Sequence, residues 1–149
     1  MAAPSGGGGG GGPVGFSNSF TGSAQSLDRV VGGWWYGYST TGLIDSAAGE
    51  TTLFDFTAAV PLKLTWSPGA NITTLAQGNK SFGFRFYLND NKVWAAMMIS
   101  TDGAPETEQA ALYDKMFIVP QYTKVKITAQ SSDDGGCTFY GALTGEELR

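Results

Sequence analysis

The sequence predicts an all-β fold, an antiparallel β-sandwich of about eight strands, jelly-roll-like, behind an extended Gly-rich N-terminal arm. Three observations predict it. Apolar residues recur with period two in run after run, the pattern of strands with one face in a core and one facing outward. Clusters of Asn, Asp, Gly and Pro separate these runs at short intervals. Only one segment carries helical start signals, so short strands with little helix point to a sandwich, either jelly roll or immunoglobulin-like.

Residues 1–26 are assigned to the arm and 27–149 to the sandwich domain. The arm opens on low-complexity sequence containing seven consecutive glycines, Gly6, Gly7, Gly8, Gly9, Gly10, Gly11 and Gly12. Immobilising them costs on the order of 10 kcal/mol, with no side chains to recover it. An ordered leader of this kind therefore requires contacts from outside the domain, most simply from neighbouring subunits; a flexible linker is the alternative. Phe16 and Phe20 are its large apolar groups and its candidate anchors, each worth about 2 kcal/mol if buried.

The strands follow in order. Trp34 and Trp35 lead into Tyr36–Ser39. In Thr52–Thr57, Phe54 and Phe56 share one face opposite Asp55. Leu62, Leu64 and Trp66 alternate with Lys63 and Thr65. Phe82, Phe84, Phe86 and Leu88 alternate with Ser81, Gly83, Arg85 and Tyr87. Val93–Ser100 and Met116–Val119 are shorter apolar runs. Val125, Ile127 and Ala129 alternate with Lys124, Lys126 and Thr128, and Cys137–Thr144 closes the set. Asn89-Asp90-Asn91 reads as a hairpin turn, because Asn and Asp tolerate left-handed backbone. Asp133–Gly136 reads as a second hairpin and Ser67–Ala70 as a turn. Ala104–Lys115 reads as a short helix or long loop, with Pro105 in a first-turn position and Glu106 and Glu108 behind it. Apolar side chains also fall on the second face of these strands: Leu53, Tyr87, Trp94, Phe117 and Tyr140.

Composition narrows the chemistry. The 149 residues suit one domain plus the arm, and charged residues make up only 15%, against about 25% in typical soluble domains. So few charges suit a surface partly covered by partners. A net charge of −4 and a pI near 4.6 argue against nucleic acid as a partner, and Lys124 with Lys126 is a strand-face pair. No apolar stretch approaches the ~18 residues of a membrane-spanning helix. The N-terminus lacks the basic and apolar regions of a signal peptide, so conventional export is not expected, and Asn71 and Asn79 head chance glycosylation patterns.

The chain has no histidine, which removes the commonest general base and every Ser–His or Cys–His arrangement. Cys137 is a single cysteine, read as a small hydrophobe rather than a nucleophile. The close carboxylate pairs, Glu106 with Glu108, Asp133 with Asp134 and Glu146 with Glu147, fall in expected loops or the tail, where solvated acids are the default. Loop aspartates Asp90, Asp102, Asp133 and Asp134 match no calcium-loop spacing. The glycine run lacks the Lys-Ser/Thr end of a phosphate loop. No catalytic residue, cofactor or metal is expected. Trp34, Trp35, Tyr36 and Tyr38 are able to stack on sugar rings, or alternate rings fill the core while the others meet a neighbour.

Five segments follow one another in a set order. Tyr36-Gly-Tyr38-Ser39 is followed by Glu50–Thr57, then by Phe82–Leu88 with Asn89-Asp90. Ile118–Thr128 comes next, and Ala142-Leu143-Thr144-Gly145 closes the series. This order resembles that of small virion structural proteins of aquatic phages and related viruses. Gln121 stands where such sequences commonly have a proline, and Phe54 where they have a leucine. The resemblance implies a β-sandwich in or on a capsid: a cement, decoration or minor capsid protein without enzymatic activity, located in the virion. Its implied partners are the major capsid protein and copies of itself, as a trimer or as a pentamer at a vertex. A receptor- or glycan-binding module on a virion is the alternative. The arm (Gly6–Gly12, Phe16, Phe20) is then the intersubunit tether, and Trp34, Trp35, Trp94 and Phe117 are the interface candidates.

Overall fold

The computed structural model describes residues 27–44, 49–72, 80–100, 108–111, 113–131 and 137–148. Among them are ten strands: β1 (Asp28–Arg29), β2 (Trp34–Ile44), β3 (Thr51–Thr57), β4 (Leu62–Ile72), β5 (Lys80–Leu88), β6 (Asn91–Ser100), β7 (Glu108–Ala111), β8 (Lys115–Val119), β9 (Lys124–Ser131) and β10 (Cys137–Glu147). The first sheet runs β1-β2-β10-β4, with β7 and β8 both pairing β4, and the second runs β3-β9-β5-β6. All pairings are antiparallel.

Setting aside the short β1 and β7, eight strands remain, in two sheets of four: β2-β10-β4-β8 and β3-β9-β5-β6. That is the connectivity of a jelly roll, in which the chain crosses between sheets at every step except the β5–β6 hairpin. The fold is an all-β sandwich, as the periodicity predicts.

The predicted inward faces form the core. Phe54, Phe56, Phe82, Phe84, Phe86, Val125, Ile127 and Ala129 of the second sheet meet Leu62, Leu64, Trp66, Phe139 and Leu143 of the first. Trp66 stands edge-on to Phe54 and Phe84, at ring separations of 5.8 and 5.6 Å, and Phe139 stands edge-on to Phe84 at 5.2 Å. Each such ring contact adds about 0.5–1.5 kcal/mol to the burial itself. The Asn89–Asp90 hairpin is present, with φ of 48° and 63°, the paired left-handed values of the tight turn that matches strand twist.

Four expectations are corrected. Leu53 is fully buried rather than on the second face, because the β3–β9 register shifts between Thr52 and Phe54 and turns two successive side chains inward. Ser67–Ala70 is not a turn but the middle of β4. Pro68 falls between the segments of β4 that pair β8 and β7, where the ladder on that flank is already interrupted and a missing N–H is tolerated. Residues 132–136 lie outside the described residues, but they join strands of different sheets and so do not close a hairpin. Within the predicted helix, Glu108–Ala111 is strand β7, paired with Gly69–Ile72.

Candidate interaction surface

The two outward faces of the sandwich differ in kind. On the second sheet, outward polar groups satisfy one another. The Glu50 carboxylate accepts hydrogen bonds from the Thr128 hydroxyl at 2.7 Å and from the Tyr87 hydroxyl at 3.0 Å, and pairs with Arg85 at 2.8 Å. Arg85 also donates to Gln130 at 2.6 Å. Partial burial pushes the Glu50 carboxyl up, but the donated hydrogen bonds from Thr128 and Tyr87 and the charges of Arg85 and Lys126 outweigh it and hold it below its ordinary value. Burial, followed by the bond to Glu50, raises the Tyr87 phenol. Over β3, β9 and β5 this face is a closed polar network, and its β6 margin exposes Val93 and Met97.

The first sheet presents the opposite. Because Trp35 points inward, its neighbours on β2 point outward, and Trp34, Tyr36 and Tyr38 remain 51%, 46% and 46% exposed. Register carries this row across the sheet: Tyr36 lies opposite Thr144 on β10, Thr144 opposite Thr65 on β4, and Thr65 opposite Met116 on β8. Met116 and Ile118 complete the far edge, both more than half exposed. Between these margins lie the smaller Thr65, Ala142 and Thr144, the Tyr140 ring, and among the described residues one ion pair, Lys63 to Glu146 at 3.8 Å. Large apolar groups thus line both margins of the face, and exposure of this kind on one sheet face marks an interaction surface.

Glycines at two close approaches set the shape of this sheet. The Tyr140 ring lies over Gly69 on the outward side, so that a Cβ there would meet it at 2.2 Å. The Trp66 ring lies over Gly141 on the inward side, again at 2.2 Å. Beyond the sheet's lower edge, an open depression of about 360 Å³ is lined by Gly32, Gly33, Trp34, Glu146, Glu147 and Leu148. Glu147 is engaged there: it accepts the Trp35 indole N–H at 3.1 Å and pairs with Arg29 at 3.3 Å. The predicted tail acids Glu146 and Glu147 are therefore strand residues held in separate ion pairs. Among the described residues no group of three or more His, Cys, Asp or Glu side chains is placed to hold a metal ion.

The predicted interface residues separate. Trp34 is on the outward face. Trp35 is corrected to a core position, 1% exposed, so it offers no surface to a partner. Trp94 and Phe117 also point inward, Phe117 stacked on Phe86 at 3.8 Å and Trp94 edge-on to Phe117 at 6.1 Å. They lie where the sandwich opens between β6 and β8 and are only partly covered. The arm residues Gly6–Gly12, Phe16 and Phe20 lie outside the described residues. Sequence reasoning did not single out Met116 and Ile118, although their alternation with Phe117 and Val119 carries the signal. The Glu50 network had no sequence signal, since it joins residues 35 to 78 positions apart.

No protein-family model matches this chain, and no curated protein sequence does. Among solved structures it is similar to dimeric latent PorU from Porphyromonas gingivalis, 12% identical over 81% of this chain and 14% of that one, with a TM-score of 0.46. It is also similar to a structure of infectious bursal disease virus, Gt strain, 17% identical over 82% of this chain and 33% of that one, with a TM-score of 0.34. The chain spans a minor part of each, and at these scores neither likeness carries a functional argument.

Proposed function

We propose that this chain is a non-enzymatic structural subunit of a virus particle: a capsid cement, decoration or minor capsid protein that joins the major capsid protein and copies of itself. The carrying observation is the asymmetry of the two outward faces. One is polar and self-satisfied except at its β6 margin, where Val93 and Met97 are half exposed, and the other exposes Trp34, Tyr36 and Tyr38 along one margin and Met116 and Ile118 along the other. Such a face is stable in water only at a cost in solubility, and burying it against a neighbouring subunit removes that cost. The low charge content and the resemblance of the segment order to that of virion structural proteins support the same reading. The jelly roll is used by capsid shells and by lectins alike, so it narrows the choice without making it.

The test is incorporation. Deleting Met1–Phe20, the glycine run together with both candidate anchors, is expected to leave the sandwich folded, by circular dichroism and thermal melting, while abolishing its recovery with purified particles. Normal occupancy by the truncated chain would refute the tether.

The aromatic row favours a second reading, a glycan-binding face. Trp34, Tyr36 and Tyr38 project from alternate positions of one strand at about 7 Å intervals, a spacing suited to stacking on successive sugar rings. A glycan array decides between them: binding lost in Trp34→Ala favours the lectin, and absence of binding favours the structural subunit.

A further inference from the structure

The second sheet ends at β6, and among the described residues β6 pairs with β5 alone. Among the described residues its outer edge therefore presents a row of backbone donors and acceptors without partners. Such an edge is usually blunted by charge, proline or a covering loop. Within Val93–Met97 this one carries no charge or proline, and Val93 and Met97 are both 49% exposed. Beside it, Trp94 and Ala96 form one wall of a half-open groove of about 250 Å³, closed on the other side by Tyr113, Asp114 and Lys115. A cavity of about 150 Å³ already holds a benzene ring.

The arm contains a matching segment. In Pro13–Phe20 the even positions hold Val14, Phe16, Asn18 and Phe20 and the odd ones Pro13, Gly15, Ser17 and Ser19, so three of the four even positions are apolar, the alternation of a strand with one mainly apolar face. We propose that residues 13–20 of one copy add as a strand along the β6 edge of a second copy, with Phe16 seated in the groove beside Trp94. This rests on the assembly reading above and names where the tether binds.

The two ends of the contact lie on opposite sides of the sandwich, the placement used in head-to-tail exchange between copies. The described chain begins at Leu27, next to β1 on the β2 side of the first sheet. The acceptor lies on the opposite side, where Trp94 of β6 meets Phe117 of β8. Eleven Cα–Cα steps join Phe16 to Leu27, a reach of about 36–40 Å when extended. This exceeds the roughly 20 Å width of a four- or five-strand sheet, so Phe16 reaches past its own sandwich as well as to its own β6, and isotope pairing distinguishes the two. A donor on one side and an acceptor on the other make a head-to-tail contact, which closes into a ring when the rotation permits. Backbone pairing supplies affinity, and the groove supplies register.

The test uses full-length protein with a photo-cross-linking amino acid at Phe16, in an equimolar mixture of isotope-labelled and unlabelled chains. Cross-links joining Phe16 of one isotope to residues 93–97 or 113–115 of the other are expected. Cross-links confined to one copy, or directed to the Trp34–Tyr38 row, would overturn the proposal while leaving arm-dependent assembly standing. Independently, Ala95→Lys with Met97→Lys, both at exposed edge positions, is expected to reduce the oligomer fraction at least tenfold with an unchanged melting curve for the monomer. An undiminished oligomer, or a wild-type chain that is monomeric at every concentration, would equally overturn it.

Discussion

Gly69 and Gly141 offer a matched experiment on the first sheet. Each lies under an aromatic ring, each would place a new Cβ 2.2 Å from that ring, and neither has a left-handed φ that alanine would strain. They differ in what the displaced ring can do. Trp66, over Gly141, is fully buried, flanked edge-on by Phe54 and Phe84, and its indole N–H has no hydrogen-bond partner among the described residues. Packing alone positions it, and a close-packed core has no room for it to shift. Gly141→Ala is therefore expected to cost about 1–3 kcal/mol, the range for inserting a methyl into a filled core. Tyr140, over Gly69, is on the outward side, and its ring can swing toward solvent at the expense of its present contacts. Alanine there also restricts the unfolded chain, a gain of about 0.4–1 kcal/mol. Gly69→Ala should thus fall within about 1 kcal/mol of wild type. Urea denaturation read by tryptophan fluorescence measures both, and the difference corresponds to several degrees in melting temperature for a domain of this size. Equal costs, or a larger cost at Gly69, would refute the assignment of Trp66 to the packed interior of the sandwich and of Tyr140 to its surface.

Two further outcomes follow from the same geometry. Trp35→Phe removes the indole N–H that Glu147 accepts and should cost about 1.5–3 kcal/mol, the range for hydrogen bonds to charged groups; Trp34→Ala, half exposed, should cost less than about 0.5 kcal/mol. Equal costs in denaturation would show that the β2 alternation is misassigned. Glu50 sits below its ordinary value in the folded chain and at it in the unfolded chain, so its contribution is present at neutral pH and lost as pH falls from about 5 through the folded value. Glu50→Gln should therefore flatten the acid limb of a stability-against-pH curve, and an unchanged limb would mean that the network with Arg85, Tyr87 and Thr128 does not form.

Much of the fold was legible because period-two alternation is a local consequence of the pleat. Phe54, Phe56, Leu62, Leu64, Trp66 and the Phe82–Phe86 run all face the core as their spacing predicts. The Asn89–Asp90 turn was legible for an equally local reason, the tolerance of these residues for positive φ. The misreadings share a long-range cause. Leu53 is buried because a bulge against β9 breaks the alternation, and a bulge depends on the partner strand. Glu108–Ala111 is extended because β4 offers it a ladder, and helix start signals worth tenths of a kcal/mol do not outweigh sheet pairing. Ser67–Ala70 has turn composition, yet Tyr140 covers Gly69 and the sheet runs straight through. The interaction face was half legible. Four adjacent aromatics signal it, but which of Trp34 and Trp35 faces outward is set by β2's pairing with β10.

Hydroxyl-radical footprinting of the chain, free and then within a purified particle or oligomer, tests the central claim most directly. The account predicts that Trp34, Tyr36, Tyr38 and Met116 are oxidised in the free chain and protected on assembly. Tyr122, 75% exposed in the turn between β8 and β9, serves as the reference that stays reactive in both states. Equal oxidation of the β2 row in both states would contradict the claim that this face exists to be covered by another subunit.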